Sequence, residues 1–379
     1  MPHVKNLIAS NPTDYLDVLR DQFKINVVPE KQGDDYRLVS LKYNQIESPM
    51  AEPIVQECRG MIVDIRRHAI LAHPYNKFWN HGEHLSAPIQ WDTSRVQDKL
   101  DGSLMILYWD RLKPGFTTGW TVASSGHPVA GGNVNRNGTT FAQLFWQTFS
   151  DLGMKKPDLT RAYESCFMLE LCTNDNRIVV RHERPRVVCH GARHIASEQE
   201  WSRAELEELC KALNWEIVRE FPISTADDCL KAAAALNPMH QEGFVVVDGL
   251  FNRVKIKSPQ YVALHHMAGN GNVTPRRVIE LWQAGEVGEF LGYFENLEPD
   301  VRPVCDKLDN ISFNAWNDYL ANKDLPTRKD YAAVVKEKPW SSVCFKLIAE
   351  KDPTPETAKA ILRNQSVSSV EFMLEKLNG

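Results

Sequence analysis

Lys99 stands in the run Asp98-Lys99-Leu100-Asp101-Gly102-Ser103-Leu104, which has the form Lys-x-Asp-Gly. A protonated lysine amine is a poor nucleophile. Burial or neighbouring cations lower its pKa and make it useful. Lys255 and Lys257 supply such cations. Two apart on a strand, they face the same side, repel each other and depress the pKa of a lysine nearby. Lys99 therefore reads as the covalent nucleophile of a nucleotidyl transfer. Lys255 and Lys257 would hold the α-phosphate and help keep Lys99 neutral.

Lys-x-Asp-Gly also occurs by chance in surface hairpins, so the companions decide. They are Glu57-Cys58-Arg59-Gly60, Asn76-Lys77-Phe78-Trp79-Asn80, Glu170, Glu242-Gly243-Phe244-Val245 and Lys255-Ile256-Lys257. Arg59 can grip a phosphate bidentately and Lys77 can add a point charge. Glu170 and Glu242 can hold ribose hydroxyls or a divalent metal. Glu170 lies in an apolar run, where a carboxylate is costly without a partner. Singly, each has a plainer reading. Arg59 could pair with Glu57 or Asp64, Lys77 could be solvated, and Glu170 could form a structural ion pair. Lys255 and Lys257 could be the solvated side of a strand that buries Val254 and Ile256. The joint order and spacing overturn these.

Other groupings carry less. His81-Gly82-Glu83-His84 and His265-His266 lack the partners of a zinc site. Arg177, Arg181, Arg184, Arg186 and Arg193 form a basic segment. It reads first as a solvated strand face, with an RNA phosphate track as the alternative.

The elements that must position these residues follow from patterning. Residues 1 to about 50 read as a small N-terminal module, with a helix after Pro12-Thr13-Asp14 and a strand at 37–43. From 54 to 262 short strands dominate: 60–65, 104–108, 167–172, 178–180, 186–189, 244–247 and 254–257. Within this stretch Ser202 and Glu205 form a capping box for a helix to Leu213. Beyond 262 the pattern turns helical, with starts at Thr274-Pro275, Thr354-Pro355 and Ser368-x-x-Glu371. A domain boundary falls in 262–273, giving domains 1–262 and 263–379.

The 379 residues allow a sizeable core in two domains. A net charge of -5 means that a nucleic acid must be held by a local basic cleft. Eight scattered cysteines without a Cys-x-x-Cys pair, and no secretory signal, read as free thiols of a cytoplasmic protein. No apolar run is long enough to span a bilayer.

With these motifs the chain resembles the covalent nucleotidyl transferases, and among them the RNA ligase 1 family of T-even phages. The most specific stretches are Glu57–Gly60, Lys77–Asn80, Lys99–Leu104, Asn176–Val179, Glu242-Gly243, Lys255–Ser258 and Tyr261–His265. The family's motifs I, III, IV and V would fall on Lys99, Glu170, Glu242 and Lys255/Lys257. The resemblance implies an α+β fold: a nucleotidyltransferase domain of ATP-grasp-like antiparallel sheets, then an all-helical C-terminal domain. It implies ATP held by Arg59, Lys77, Lys99, Asp101, Gly102, Glu170, Glu242, Lys255 and Lys257. Mg2+ would sit at Glu170 and Glu242, directly or through water.

The reaction implied has three steps. Lys99 takes AMP from ATP, AMP passes to an RNA 5′-phosphate, and a 3′-hydroxyl displaces it to seal the strand. The implied partner is RNA with such ends, with tRNA repair as the biological task and the helical domain favouring tRNA. No membrane or obligate protein partner is implied, and a phage-encoded protein would act in the host cytoplasm. One departure stands out: the family often has a lysine where Ala123-Ser124-Ser125-Gly126 places Ser125. DNA ligases and capping guanylyltransferases share the lysine motif but usually continue into a β-barrel. A non-catalytic RNA-binding protein on the same fold is the remaining alternative.

Overall fold

The structure is a computed structural model that describes residues 3–31, 35–111, 119–134, 138–268 and 273–378. The chain divides into two compact units, Met1–Val262 and Ala263–Gly379. Of the stretch marked as a boundary in the sequence, residues 269–272 lie outside the described residues.

The first unit begins with an antiparallel sheet of β1 (Ile25–Pro29), β2 (Leu38–Tyr43), β3 (Arg59–Asp64) and β4 (Ala69–Ala72) in that spatial order. Alternation along β2 and β3 sends Val39, Leu41, Met61 and Val63 to one face, against Val4, Ile8 and Leu19 of the helices His3–Ser10 and Tyr15–Asp21. Glu57 ties this module down. Its buried carboxylate accepts the backbone N–H groups of His3 (2.8 Å) and Val4 (2.9 Å), the unsatisfied donors of a helix start.

The chain continues with β5 (Trp79–Asn80), β6 (Arg95–Lys99), β7 (Ser103–Trp109), β8 (Trp120–Ser124), β9 (Ser165–Cys172), β10 (Arg186–His194), β11 (Glu216–Ile217), β12 (Glu220–Phe221), β13 (Gly243–Val247) and β14 (Arg253–Lys257). They form two five-stranded sheets, ordered β11-β10-β9-β7-β8 and β12-β6-β13-β14-β5. Pairing is antiparallel except for β10–β11 and β14–β5.

β9 is buried on both faces, as its apolar run predicts. Phe167, Leu169 and Leu171 pack with Phe145 and Phe149 of helix Phe141–Asp151 and with Leu206 and Leu209 of helix Arg203–Leu213. Cys166 and Met168 meet Ile62 and Ala72 from the N-terminal sheet. The second five-stranded sheet covers one face with Cys229 and Ala233 of helix Ala226–Ala234. Its opposite face carries the lysines.

Two sequence readings are corrected. Ile178–Val180 is not a strand. Its backbone donors go instead to one buried carboxylate, Asp101, at 2.8 Å (Val179) and 2.6 Å (Val180). The last helix runs Val367–Asn378, so Ser368 lies inside it, and Ser366 accepts from the Ser369 N–H. Ser202 does cap its helix, in a capping box with Glu205.

The second unit is helical. The long helix Glu298–Asn322 buries Val301, Leu308, Ile311 and Ala315. It packs with helices Pro275–Ala284, Ser341–Leu347 and Pro355–Arg363. Thr274 and Thr354 cap two of these through their hydroxyls, and proline follows each in the first turn, where its missing N–H costs nothing.

Candidate active site

Lys99 is the last residue of β6, and Ser103 opens β7 in the other five-stranded sheet. The motif is therefore a crossing between sheets rather than a hairpin tip. Gly102 is required there by close approach: a Cβ would lie 2.5 Å from the carbonyl oxygen of Leu171 and 3.0 Å from the Glu170 Cγ. Asp101 is buried and fully engaged. Besides the Val179 and Val180 N–H groups it accepts the Tyr261 hydroxyl at 2.8 Å, and its backbone carbonyl lies 2.7 Å from the His182 ring. The Asp101 carboxylate thus pins the crossing in place.

Register explains the charged cluster. Gly243 on central β13 pairs with Lys99 on one side and Lys257 on the other. Glu242, one residue before, reaches both ammonium groups, at 2.7 Å to Lys99 and 2.9 Å to Lys257. Burial alone would raise the Glu242 pKa, but the two lysines outweigh it and hold the carboxyl below its usual range. For Lys99, burial pulls the pKa down, yet Glu242, with Glu170 and Asp101 behind it, more than reverses this. The net shift is upward. This corrects the expectation of a neutral Lys99: its side chain is an ion-paired ammonium.

The depressed lysine is Lys255. Burial, then the charges of Lys77, Lys99, Lys257 and Arg59, lower it to about 8. Lys255 pairs in register with Val245, and both line a cavity of about 230 Å3 together with Gln97 and Lys99. Lys257 does not line it, so the two lysines expected to act together are split between an open pocket and a buried ion pair.

The far wall of the cavity comes from the other two sheets. Glu170 on β9 pairs with Leu104 on β7, and both line the pocket. The His190 Nε2 is 3.6 Å from Glu170, beyond hydrogen-bond distance. Arg59 is not paired with Glu57 or Asp64: the former holds the N-terminal helix and the latter binds Arg37 at 2.7 Å. Instead the Arg59 guanidinium lies 5.0 Å from the Phe78 ring centre, and its Nη1 is buried without a hydrogen-bond partner. A buried guanidinium nitrogen with no acceptor is costly unless a ligand supplies one.

Lys77 lies over the Tyr43 ring at 4.9 Å and borders a neighbouring cavity, close enough for its charge to act on Lys255. The residue-by-residue reading gave no role to Tyr75, Gln97, His190 or Arg253. All four line the Lys99 cavity. Arg253 is locked by Glu200 and stacks 4.0 Å over Tyr75, whose hydroxyl donates to the His190 carbonyl at 2.8 Å. No motif marks such packing partners. Only the nearness in sequence of Tyr75 to Lys77, Gln97 to Lys99 and Arg253 to Lys255 could have drawn attention to them, and His190 carries no such signal.

The basic segment is divided: Arg181, Arg184 and Arg186 line one cavity beside Lys99, and Arg177 and Arg193 do not. Arg193 is consumed by the Pro74 carbonyl, Asn76 and Glu200, and Arg186 by Glu216, while Arg177 donates to the Val179 carbonyl. Arg184, 67% exposed, lies 3.5 Å from Glu216. Among the described residues no three or more His, Cys, Asp or Glu side chains gather as a metal cluster. All eight cysteines are free and buried, and no described helix is long and apolar enough to cross a membrane.

A family model described as RNA ligase matches residues 57–261, which contain every site residue named above except those of the N-terminal module. A putative bifunctional polynucleotide kinase/RNA ligase of Autographa californica nuclear polyhedrosis virus is 24% identical over 363 residues, 91% of this chain and 49% of that protein. The chain thus spans about half the length of that relative. An RNA ligase of Rhodothermus phage RM378 is 26% identical over 70% of this chain and 71% of its own.

Among solved structures, an archaeal ATP-dependent RNA ligase aligns over 81% of this chain and 82% of its own, at 15% identity and TM-score 0.47. A Naegleria gruberi RNA ligase aligns over 46% and 51%, at 16% identity and TM-score 0.35. The family match spans the sheet crossing, Glu170, Glu242 and Lys255 and Lys257 alike, and by it this chain belongs to the RNA ligase family.

Proposed function

We propose that the chain is an ATP-dependent RNA ligase that joins 5′-phosphate and 3′-hydroxyl ends through a lysyl-AMP intermediate on Lys99. The observation that carries this is one cavity bringing Lys99, Lys255, Glu170 and Arg59 together from three sheets. Leu104, Val245 and Phe78 give it apolar walls for a nucleoside, and Arg59 and Lys255 give it cations for phosphate oxygens. Such cations stabilise charge as it moves onto the leaving group.

Glu242 orients the Lys99 Nζ. Because it also keeps that nitrogen protonated, the proton must leave before the lone pair can attack phosphorus. Mg2+ is usually held by one or two carboxylates plus phosphate oxygens and water, and would neutralise phosphate charge. Glu170, which lines the cavity, fits that limited role. Glu242 fits it less well, since each of its oxygens already meets an ammonium. The homologue names support RNA as the substrate, and repair of tRNA is the task we assign to it.

Incubation with α-labelled ATP and magnesium tests the reading. Label should stay on the protein after denaturation, vanish in Lys99→Ala and pass to 5′-phosphorylated RNA. Label from GTP alone would indicate a capping enzyme, and no label at all a binding protein on a ligase fold.

A further inference from the structure

The Lys99 pocket does not end at Arg59. Arg59 and Leu104 also border a second cavity of about 520 Å3, whose walls include Asn26, Lys42, Tyr43 and Ser125. Lys42 on β2 pairs in register with Arg59 on β3, and opposed residues on an antiparallel pair share a face. The Lys42 ammonium reaches over the Ser125-Gly126 turn, 3.6 Å from where a Cβ on Gly126 would stand.

Three observations make this an anion site. Among the described residues no carboxylate lines it, and its walls carry the amides of Asn26, Asn44 and Gln45 and the hydroxyls of Tyr43 and Ser125 beside two cations. The Arg59 Nη1 at its border is buried and unpartnered. Lys77, stacked on the same Tyr43, extends the positive charge toward Lys255. The cavity on the other side of Lys99 differs: Asp98, Asp101, Glu183, Glu216 and Glu242 line it beside its arginines.

We propose that this second cavity receives the pyrophosphate portion of ATP and that Lys42, from the N-terminal sheet, binds the leaving group. The inference rests on the nucleotidyl-transfer reading above. In the first step the Lys99 Nζ, having lost a proton, bonds to the α-phosphorus. The bond from that phosphorus to the bridging oxygen breaks, and the electron pair departs on pyrophosphate. A cation placed there stabilises the charge that grows as the bond breaks. The final sealing step releases AMP, not pyrophosphate, so Lys42 has no part in it.

The test uses the full chain as wild type, Lys42→Ala, Lys42→Arg and the double variant Lys42→Ala/Ser125→Lys. Three rates are read: lysyl-AMP formation from α-labelled ATP, discharge of preformed enzyme-AMP by added pyrophosphate, and ATP-free sealing of pre-adenylylated RNA. Loss of a charged phosphate contact should slow the first two in Lys42→Ala roughly 10- to 100-fold. Sealing should stay at the wild-type rate. Lys42→Arg should keep most of the first two rates. A lysine at position 125, on the same cavity wall, should restore part of what Lys42→Ala loses.

Unchanged formation and discharge in Lys42→Ala, with an active wild type, would overturn this proposal alone. An equal fall in sealing would also overturn it, making Lys42 a structural residue. A wild type that forms no lysyl adduct would overturn the nucleotidyl-transfer reading and this inference with it.

Discussion

A lysine paired to a carboxylate at 2.7 Å is a guarded amine. Glu242 fixes where the Lys99 Nζ sits, at the cost of keeping it charged. Two predictions belong to this scale. In Glu242→Gln the anion that raises the Lys99 pKa is gone while burial and the neighbouring lysines remain. Acylation of Lys99 by an amine-reactive reagent at neutral pH, read by peptide mass spectrometry, should then speed up relative to the wild type.

The second concerns Lys255. Its pKa is lowered to about 8, so its ammonium form is complete well below that pH and is lost as pH rises through it. Lys99, raised above the ordinary lysine value, sheds its proton only at higher pH. The kcat/KM of lysyl-AMP formation should therefore climb with pH as Lys99 deprotonates, then level off near pH 8 as Lys255 loses its charge. In Lys255→Arg the levelling should move upward, and an unshifted profile would remove Lys255 from the phosphate site. Residue types and order were enough to nominate both lysines. Their opposite pKa shifts were not legible, because they depend on which ammonium Glu242 reaches, and that is set by β6–β13–β14 register.

At the scale of elements, the site depends on one four-residue crossing. Asp101 was expected to bind ATP by resemblance. In the structure its carboxylate instead accepts two backbone N–H groups and the Tyr261 hydroxyl. In Asp101→Asn one of the two accepting oxygens becomes an NH2 group that faces either the Tyr261 hydroxyl or the Val179 and Val180 N–H groups, and this should cost about 1–3 kcal/mol, the range for an unsatisfied buried polar group. A lowered melting temperature together with slower lysyl-AMP formation checks this. Unaltered melting would show that the crossing is held by other contacts. Gly102→Ala should behave similarly, since its Cβ meets backbone rather than a yielding side chain.

The strands around the crossing were legible because two-residue alternation and β-branched runs survive in sequence. The segment Ile178–Val180 misled for the same reason: its apolar residues look like a strand, but a distant carboxylate takes their donors. The helix Phe141–Asp151 was missed although Thr140 and Gln143 stand at capping-box spacing at its start.

The whole molecule consists of two units, of which Met1–Val262 contains every group assigned to lysyl-AMP formation. We propose that this unit alone carries out the first step and that the helical unit Ala263–Gly379 selects the RNA. A chain ending at Val262 should then adenylylate Lys99 at a rate comparable to the full protein while losing preference for tRNA over unstructured RNA. Loss of labelling in a folded truncation would show that the units are not separable. The helical character of the second unit was plain from its caps and 3.6-residue spacing. The pairing of the first unit's three sheets was not, since β6 and β7 are neighbours in sequence yet lie in different sheets.

The central claim is that the Lys99 side chain forms the bond to AMP. Its most direct test is peptide mass spectrometry of the full chain after reaction with ATP and magnesium without RNA. The account predicts a single AMP on the peptide holding Asp98–Ser103, bonded to Lys99 and removed by added pyrophosphate. An adduct on any other side chain, or none on a folded protein, would contradict it.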